Sequence, residues 1–392
     1  DRVMRVESIG EVKPGDIVAR PLYDDLGRIL LNAGVELTRE YIRALEAKGY
    51  SIIYVRDAAD DVESDYDEDI SPLCRARATM ALSEAFERIG DSVKKLQAQS
   101  IKDFKAAFAS DAIRDLTGMH GPLANVQKAV QEIVEEVLTR PRLAGLTSIK
   151  NADAGLYTHS VDVCVVAVMI GRALGIPHVR MTQLAAGCLL HDIGKAFLDP
   201  QTTGARAVRE HTTLGYELLR NSPDPDILAP YVAFEHHEHQ DGTGLPRHLI
   251  GSNRIERASA QYGSIPTLVG EIGAVANAYD NLLSGHEGQP PLPPDQALRS
   301  IYADAGTKYN KAIVDAFLHV VPVFPLGMEI TVVSPRLKNY KGVVTRVHSN
   351  RLDRPVVTLV YDALGKRIQP QQVDLTQETD LRIQCGGLHL GH

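Results

Sequence analysis

The chain has 392 residues, 42 of them Lys or Arg and 50 Asp or Glu, for a formal net charge of -8. That length predicts two or three domains, and the interspersed charges leave no basic face of the kind that grips a nucleic-acid polymer. An anionic ligand must then be captured locally, by a few cations or by metals. Cys74, Cys164, Cys188 and Cys385 are scattered without a CxxC pair and read as reduced thiols of a cytoplasmic protein, with a disulfide left open.

Residues 1–70 read as a small accessory α/β module with an acidic linker. Pro14-Gly15 and Asp25-Leu26-Gly27 are turn signals between apolar runs. A helix runs from the N-cap Thr38 to Lys48 with Gly49 as its stop, and Ser51 to Val55 reads as a strand. The opening Asp1-Arg2 shows no signal-peptide pattern, and Asp57 to Asp69 is a solvated acidic run. Residues 71–145 are predicted as a helical connector, because Ile89, Val93, Leu96 and then Val126, Val130, Ile133, Val134 and Val137 recur at helical spacing. These helices pack against the domain that follows or against a second copy of the chain. A homodimer through them is therefore an expectation, although the heptads are too interrupted for a long coiled coil.

The next stretch carries the chemistry. Val161 to Ile170 is too short to cross a bilayer, which takes roughly 20 residues, so no membrane partner is expected; it reads as a buried helix carrying His159 of Tyr157-Thr158-His159-Ser160. In Leu190-His191-Asp192-Ile193-Gly194-Lys195, the adjacent His and Asp offer one metal a nitrogen and two metals a shared carboxylate. On a helix, Lys195 projects from the same face as both, where its ammonium meets an anion bound to the metals. His211 follows, in His211-Thr212-Thr213-Leu214-Gly215-Tyr216. Then Phe234-Glu235-His236-His237-Glu238-His239-Gln240-Asp241-Gly242-Thr243-Gly244-Leu245-Pro246 sets two neighbouring imidazoles before a turn, and Asp280 closes Ala276-Asn277-Ala278-Tyr279-Asp280.

Each of these has a plain reading when taken alone: a helix end, a core histidine, a solvated Asp. In this order and company they are better explained as two metal sites sharing Asp192, since neutral imidazole is the commonest side-chain metal ligand. From Leu326 the period changes again. Ile330-Thr331-Val332-Val333, Gly342-Val343-Val344-Thr345 and Pro355-Val356-Val357-Thr358-Leu359-Val360, divided by turn residues, predict a small C-terminal β module over residues 326–392. It reads as a structural or docking module, because no polar cluster converges there.

The order His159, His191-Asp192, Lys195, His211, His236-His237, Asp280 resembles the HD phosphohydrolase superfamily. Asp241-Gly242-Thr243-Gly244-Leu245-Pro246 after a double His is similar to its HD-GYP branch, with Leu245 where that family has Tyr. The resemblance covers about residues 146–325. It implies a multidomain, mainly α protein around an all-helical HD-GYP domain that hydrolyses the bacterial second messenger cyclic di-GMP to linear pGpG or GMP. It also implies two divalent metal ions per chain, with iron the first choice and manganese the alternative. Carried onto these residues, it places His159, His191, Asp192 and Asp280 on one metal, and Asp192, His211, His236 and His237 on the other. Asp192 and Lys195 are then catalytic, and Lys195, Asp241, His286 and Gln289 face the substrate.

The chemistry explains the residue types. A phosphodiester repels hydroxide by its own charge, so a catalyst must make the nucleophile and cancel charge on the phosphate. Two cations sharing a carboxylate acidify a bridging water and polarise the non-bridging oxygens, and Lys195 adds a further positive charge. An imidazole and carboxylate shell suits iron or manganese, where thiolates would favour zinc.

Departures from the family pattern bear on the substrate. Gly155 stands where the Glu of a third metal site would be, so two metals are expected. His286-Glu287-Gly288-Gln289 replaces an Arg-Pro-Tyr-Arg segment. The stretch from Lys195 to His211 is short for the family and Ser252 to Ser264 looks inserted, both expected to border the cleft. Three readings stay open: a cyclic di-GMP phosphodiesterase, a weakly active or inactive cyclic di-GMP-binding signalling module, and a phosphohydrolase for another phosphoester.

Overall fold

Three hydrophobic cores follow one another along the chain in the computed structural model, which describes residues 5–10, 12–19, 21–23, 29–48, 50, 52–56, 69–96, 100–118, 120–139, 155–223, 229–257, 263–285 and 289–385. The first core, built on Val18, Leu37, Leu45, Ile53 and Val55, belongs to the N-terminal module. There β1 (Arg5–Ser8) and β2 (Ile17–Val18) flank β5 (Ile52–Arg56) antiparallel, while β3 (Leu22–Tyr23) pairs with β4 (Ile29–Leu31). Helix α1 (Arg39–Ala47) starts where the capping signal predicts, with the Thr38 hydroxyl accepting from the Tyr41 amide. Gly49, the Asp25-Leu26-Gly27 turn and nearly all of the acidic run lie outside the described residues.

The second core runs without a break from Ile70 to Val321. It takes in the connector, resolved as α2 (Pro72–Lys95), α3 (Ile101–Phe108), α4 (Asp111–Thr117) and α5 (Leu123–Thr139). Ser71 caps α2, with Pro72 at a position where its missing N–H costs nothing. Ile89 and Val93 of α2, and Val126, Val130, Ile133, Val134 and Val137 of α5, all point inward. The apolar faces of these helices thus meet the following domain, the first of the two packing partners expected for them. Leu96, read as part of the stripe, is instead the exposed C-cap of α2.

The rest of this core is helical throughout: α6 (Leu156–Ala173), α7 (His178–Leu190), a 3-10 turn (Ile193–Phe197), α8 (Gly204–Arg220), α9 (Ala229–Glu235), α10 (Leu268–Ser284), α11 (Pro294–Ala303) and α12 (Lys311–Leu318). Helix α6 corrects one expectation. At 18 residues and mean hydropathy 1.3 it is long and apolar enough to span a membrane, yet 67% of it is buried inside the fold. It is a central core helix, packed by α7, α10, α5, α2 and α12. That position accounts for an apolar run that shows little amphipathic pattern.

The third core, from Phe324 to Cys385, fills one face of a five-stranded antiparallel sheet. Its strands are β6 (Glu329–Val332), β7 (Lys341–His348), β8 (Arg351–Tyr361), β9 (Arg367–Asp374) and β10 (Ile383–Cys385), ordered β10-β6-β7-β8-β9. All four cysteines are buried, and burial pushes the Cys164 and Cys188 thiols well up.

One buried ion pair ties the connector to the core. Arg75 of α2 donates to Asp162 of α6 at 2.5 Å, with both side chains at most 10% exposed. Removing one charge takes from the other its close partner in a low-dielectric setting. Arg75→Met is expected to lower unfolding free energy by about 3 kcal/mol, and Arg75→Met with Asp162→Leu to recover much of that, because breaking a buried pair costs more than replacing it with apolar groups. Thermal or urea unfolding of the three proteins checks it, and equal losses in single and double variants would contradict it.

Candidate metal centre

Four separate segments bring five histidines together around Asp192, and α10 adds a fifth segment with Asp280. His159 comes from the first turns of α6, and His191 ends α7 as its C-cap. Asp192 starts the 3-10 turn, His211 lies midway along α8, and His236 and His237 follow α9. The chain leaves α-helical geometry at Asp192, so Lys195 sits on the 3-10 turn and not on a continued helix. Its Nζ nonetheless reaches Asp192 Oδ2 at 2.6 Å, and a third of its side chain stays exposed.

Gly194 makes this approach possible. A Cβ at this position would lie 1.9 Å from the His211 carbonyl oxygen and 2.8 Å from the Gly215 nitrogen. Only glycine lets the 3-10 turn lie against α8 with Asp192 beside His211. Gly244 does the same for the double His: a Cβ there would meet the His239 nitrogen at 2.2 Å and the His237 oxygen at 2.5 Å. The Leu245 amide then donates to the His237 carbonyl at 2.9 Å, so the turn closes without a tyrosine.

Backbone carbonyls set the imidazole tautomers. His191 Nδ1 lies 2.7 Å from the Cys188 oxygen, His211 Nδ1 2.8 Å from Ala207, and His236 Nδ1 3.0 Å from Val232. Each Nδ1 therefore carries the proton and each Nε2 presents a lone pair. His211 Nε2 and His236 Nε2 face one another at 3.3 Å, two acceptors with no proton between them. His191 Nε2 and Asp192 Oδ1 are buried without a hydrogen-bond partner. Buried acceptors left in this way are rare and expensive, and the species that satisfies all of them is a cation.

The donors fall into two groups, His159, His191 and Asp192 on one side and His211, His236 and His237 on the other, the ligand atoms of each lying within 4.8 Å of one another. Asp192 stands between them. Its Oδ2 faces His191 Nε2 at 3.4 Å and His159 Nε2 at 3.9 Å, while its Oδ1 faces His211 Nε2 at 3.4 Å and His236 Nε2 at 3.8 Å. Burial pushes the Asp192 carboxyl up, but the charged and polar groups around it, Lys195 among them, outweigh it and hold the group well below the ordinary carboxylate range. Burial, followed by neighbouring imidazoles, drives His236 and His237 well below the usual histidine range, and burial lowers His211 despite Asp192. Neutral imidazoles around an ionised carboxylate are the state that binds a divalent metal.

Asp280 stands behind His159. Its Oδ2 lies 2.7 Å from His159 Nδ1, which turns the other ring nitrogen toward Asp192, the arrangement in which a carboxylate orients a ligating histidine. Asp241 is exposed, its Oδ1 accepting from the Thr243 amide at 2.9 Å and hydroxyl at 2.7 Å, so it shapes the turn. Gln289 is exposed, and His286 lies outside the described residues. A cavity of about 370 Å³ opens on Asp192, Lys195, His211 and His237. The stretch from Leu198 to Val208 supplies much of its wall, as expected, whereas Asp241, Gln289 and the described residues of 252–264 are not among its lining. The described part of 252–264 packs elsewhere: the Asn253 amide donates to Gln240 at 2.9 Å, and Arg257 pairs with Glu271.

Some residues carry no ligand-like signal in the sequence. Asn277 and Asn281 line the cavity, and their spacing around Asp280 on one face of α10 was the available clue. Glu235 accepts from the Thr267 amide at 2.7 Å and hydroxyl at 2.6 Å, which joins the segment before His236 to the N-cap of α10. Burial raises the Glu235 carboxyl to about 7, against Thr267 and its partner Arg247. Glu238 accepts from the Arg247 and Leu249 amides at 2.6 and 2.9 Å, pinning the loop after the double His.

Comparison with known proteins matches residues 156–282 to the HD domain family. A cyclic di-GMP phosphodiesterase of Pseudomonas aeruginosa is 29% identical over 306 residues, 76% of this chain and 68% of its own length. A cyclic di-GMP phosphodiesterase of Thermotoga maritima is 31% identical over 48% of this chain and 49% of its own length. A cyclic di-GMP phosphodiesterase response regulator of Xanthomonas campestris pv. campestris is 30% identical over 48% of each. The chain thus spans about half the length of the last two. A solved structure described as an HDG"Y"P protein from Bdellovibrio bacteriovorus superposes with a TM-score of 0.39 at 17% identity, over 81% of this chain and 98% of that one, too loosely to argue from.

Gly194→Ala is expected to cost at least about 2 kcal/mol of stability, the range of a severe backbone clash, and to separate Asp192 from His211. Unfolding curves and metal uptake measure the two effects. A variant of unchanged stability that still takes up metal at wild-type affinity would contradict the close approach.

Proposed function

We propose that this HD domain of the HD-GYP family is a metal-dependent phosphodiesterase that opens cyclic di-GMP to linear pGpG or GMP. The observation that carries the reading is the set of buried, unprotonated acceptors on both sides of one carboxylate. Names of the relatives supply the substrate class. His159, His191 and Asp192 hold one divalent ion, Asp192, His211, His236 and His237 the other, and Asp280 holds His159 in register. Iron is preferred and manganese is the alternative, since neutral imidazoles with a carboxylate and no thiolate suit those ions. When bound, two such ions supply an acidified water and neutralise charge on the phosphate.

The residues do the rest. Asp192 stays ionised at working pH and cannot take up a proton in competition with its ligand role. The Cys188, Ala207 and Val232 carbonyls prevent three imidazoles from rotating or swapping tautomers. Lys195 spends one N–H on Asp192 and lines the cavity, which leaves donors for a non-bridging phosphate oxygen as charge builds there. The N- and C-terminal modules, with cores of their own, are read as accessory to this domain.

A slowly turning-over cyclic di-GMP-binding module is the second reading. It is favoured by one observation: Lys195 is the single Lys or Arg among the described residues lining the cavity.

Elemental analysis of purified protein, together with chromatography of products from cyclic di-GMP, tests the proposal. Two metals per chain with conversion to pGpG or GMP supports it; stoichiometric binding without product supports the second reading. Asp192→Ala is expected to lose both metals and His211→Ala preferentially one, so full metal content in Asp192→Ala would refute the shared carboxylate. Lys195→Ala is expected to retain the metals and lose roughly 2 to 4 kcal/mol of transition-state stabilisation, the worth of one such group. Unchanged kcat in the metal-loaded variant would remove Lys195 from the chemistry.

A further inference from the structure

We propose that Asn277 and Asn281 form a base-reading pair, which binds a nucleobase edge of the substrate beside the metal centre. The inference rests on the phosphodiesterase reading and specifies how that site recognises its ligand. Asn277, Asp280 and Asn281 share one face of α10. Asp280 is turned to His159, while Asn277, only 6% exposed, and the half-buried Asn281 line the cavity together with Asp192 and Lys195.

One hydrogen bond couples the orientations of the two amides. Asn281 Nδ2 donates to Asn277 Oδ1 at 3.1 Å. Asn277 therefore offers its amino group, and Asn281 its carbonyl, as a donor next to an acceptor. Turning both amides over keeps the bond and exchanges the two roles, so in either arrangement the pair presents one donor beside one acceptor.

The rest of the lining argues against a phosphate at this position. Its charged members are the carboxylates Asp192 and Asp199 and the single ammonium of Lys195, which lies 2.6 Å from Asp192. A second phosphate placed against α10 would meet an amide carbonyl's lone pairs, with Lys195, already paired to Asp192, as the single cation among the described lining residues. A nucleobase suits the pair, because the Watson–Crick edge of a purine sets a donor beside an acceptor: the amino group and ring nitrogen of adenine, or the carbonyl and ring N–H of guanine. A ligand without such an edge leaves buried amide groups unpaired, and that penalty is what produces selectivity.

The test compares the metal-loaded wild type with Asn277→Ala and Asn281→Ala on cyclic di-GMP, cyclic di-AMP and bis(p-nitrophenyl) phosphate, a diester without a base. The proposal expects KM for the preferred dinucleotide to rise by roughly tenfold, the worth of one or two neutral hydrogen bonds, with a much smaller loss of kcat/KM on the baseless diester. Equal losses on all substrates, or none on any, overturn it. If the wild type turns over neither dinucleotide, the phosphodiesterase reading fails, and calorimetry then decides the pair separately. Dinucleotide binding weakened by about tenfold in the variants upholds the pair, while an unchanged Kd, or no binding by the wild type, overturns it.

Discussion

A carboxylate with 1% of its surface exposed is the constraint on which the centre depends. Burying an ionised Asp192 costs several kcal/mol unless opposite charge comes with it. Lys195 compensates one oxygen; the other looks onto imidazole lone pairs, which supply none. This arrangement persists because the surrounding core is apolar and tightly filled. Val163, Val166, Leu189, Ile193 and Ile272 are all buried, and a close-packed interior does not let five segments drift apart to relieve an electrostatic cost. The fold thus gathers an array of acceptors that suits a cation.

The candidate donor residues were legible because their signal is one of identity. A histidine is a metal donor whatever secondary structure carries it, and the order of five motifs survives ignorance of how the segments cross. Geometry was less legible. An α-helix through Lys195 was the natural reading, yet Gly194 must lie against the His211 carbonyl, and that contact between residues distant in sequence replaces the α-helix with a 3-10 turn. Asp280 carries the same carboxylate whether it binds a metal or orients His159, and the fold sets its Oδ2 2.7 Å from His159 Nδ1. Asp241 looked substrate-directed beside the double His, but a short Asp-x-Thr run satisfies its own turn first.

Residues without ionisable side chains were the hardest to foresee. Asn277 and Asn281 resemble ordinary helix polar residues until α10 is known to form a wall of the cavity. The connector illustrates the converse. Its helical spacing was plain, but an apolar stripe does not name its partner, and only the continuous core from Ile70 to Val321 assigns it. Helix α6 shows why hydropathy alone misleads: a helix packed on every side loses the polar face that would mark it as part of a folded core.

The two tasks of the site are carried by different kinds of backbone. Most metal-facing groups sit where regular structure ends: His191 at the C-cap of α7, Asp192 at the start of a 3-10 turn, and His236 and His237 just past α9. Those positions are held by specific glycines and carbonyls, so their tolerance for change is small. The groups assigned to recognition lie on the regular helix α10, whose amides can be exchanged without disturbing any cap. The two are linked at one point, because Glu235, which precedes the double His, accepts hydrogen bonds from Thr267 at the N-cap of α10. Any displacement of α10 would therefore move the amide pair, the carboxylate behind His159 and the segment before His236 together. Side-chain exchange on α10 is consequently the route by which substrate choice can diverge, while movement of the helix as a whole is restrained by the metal centre itself.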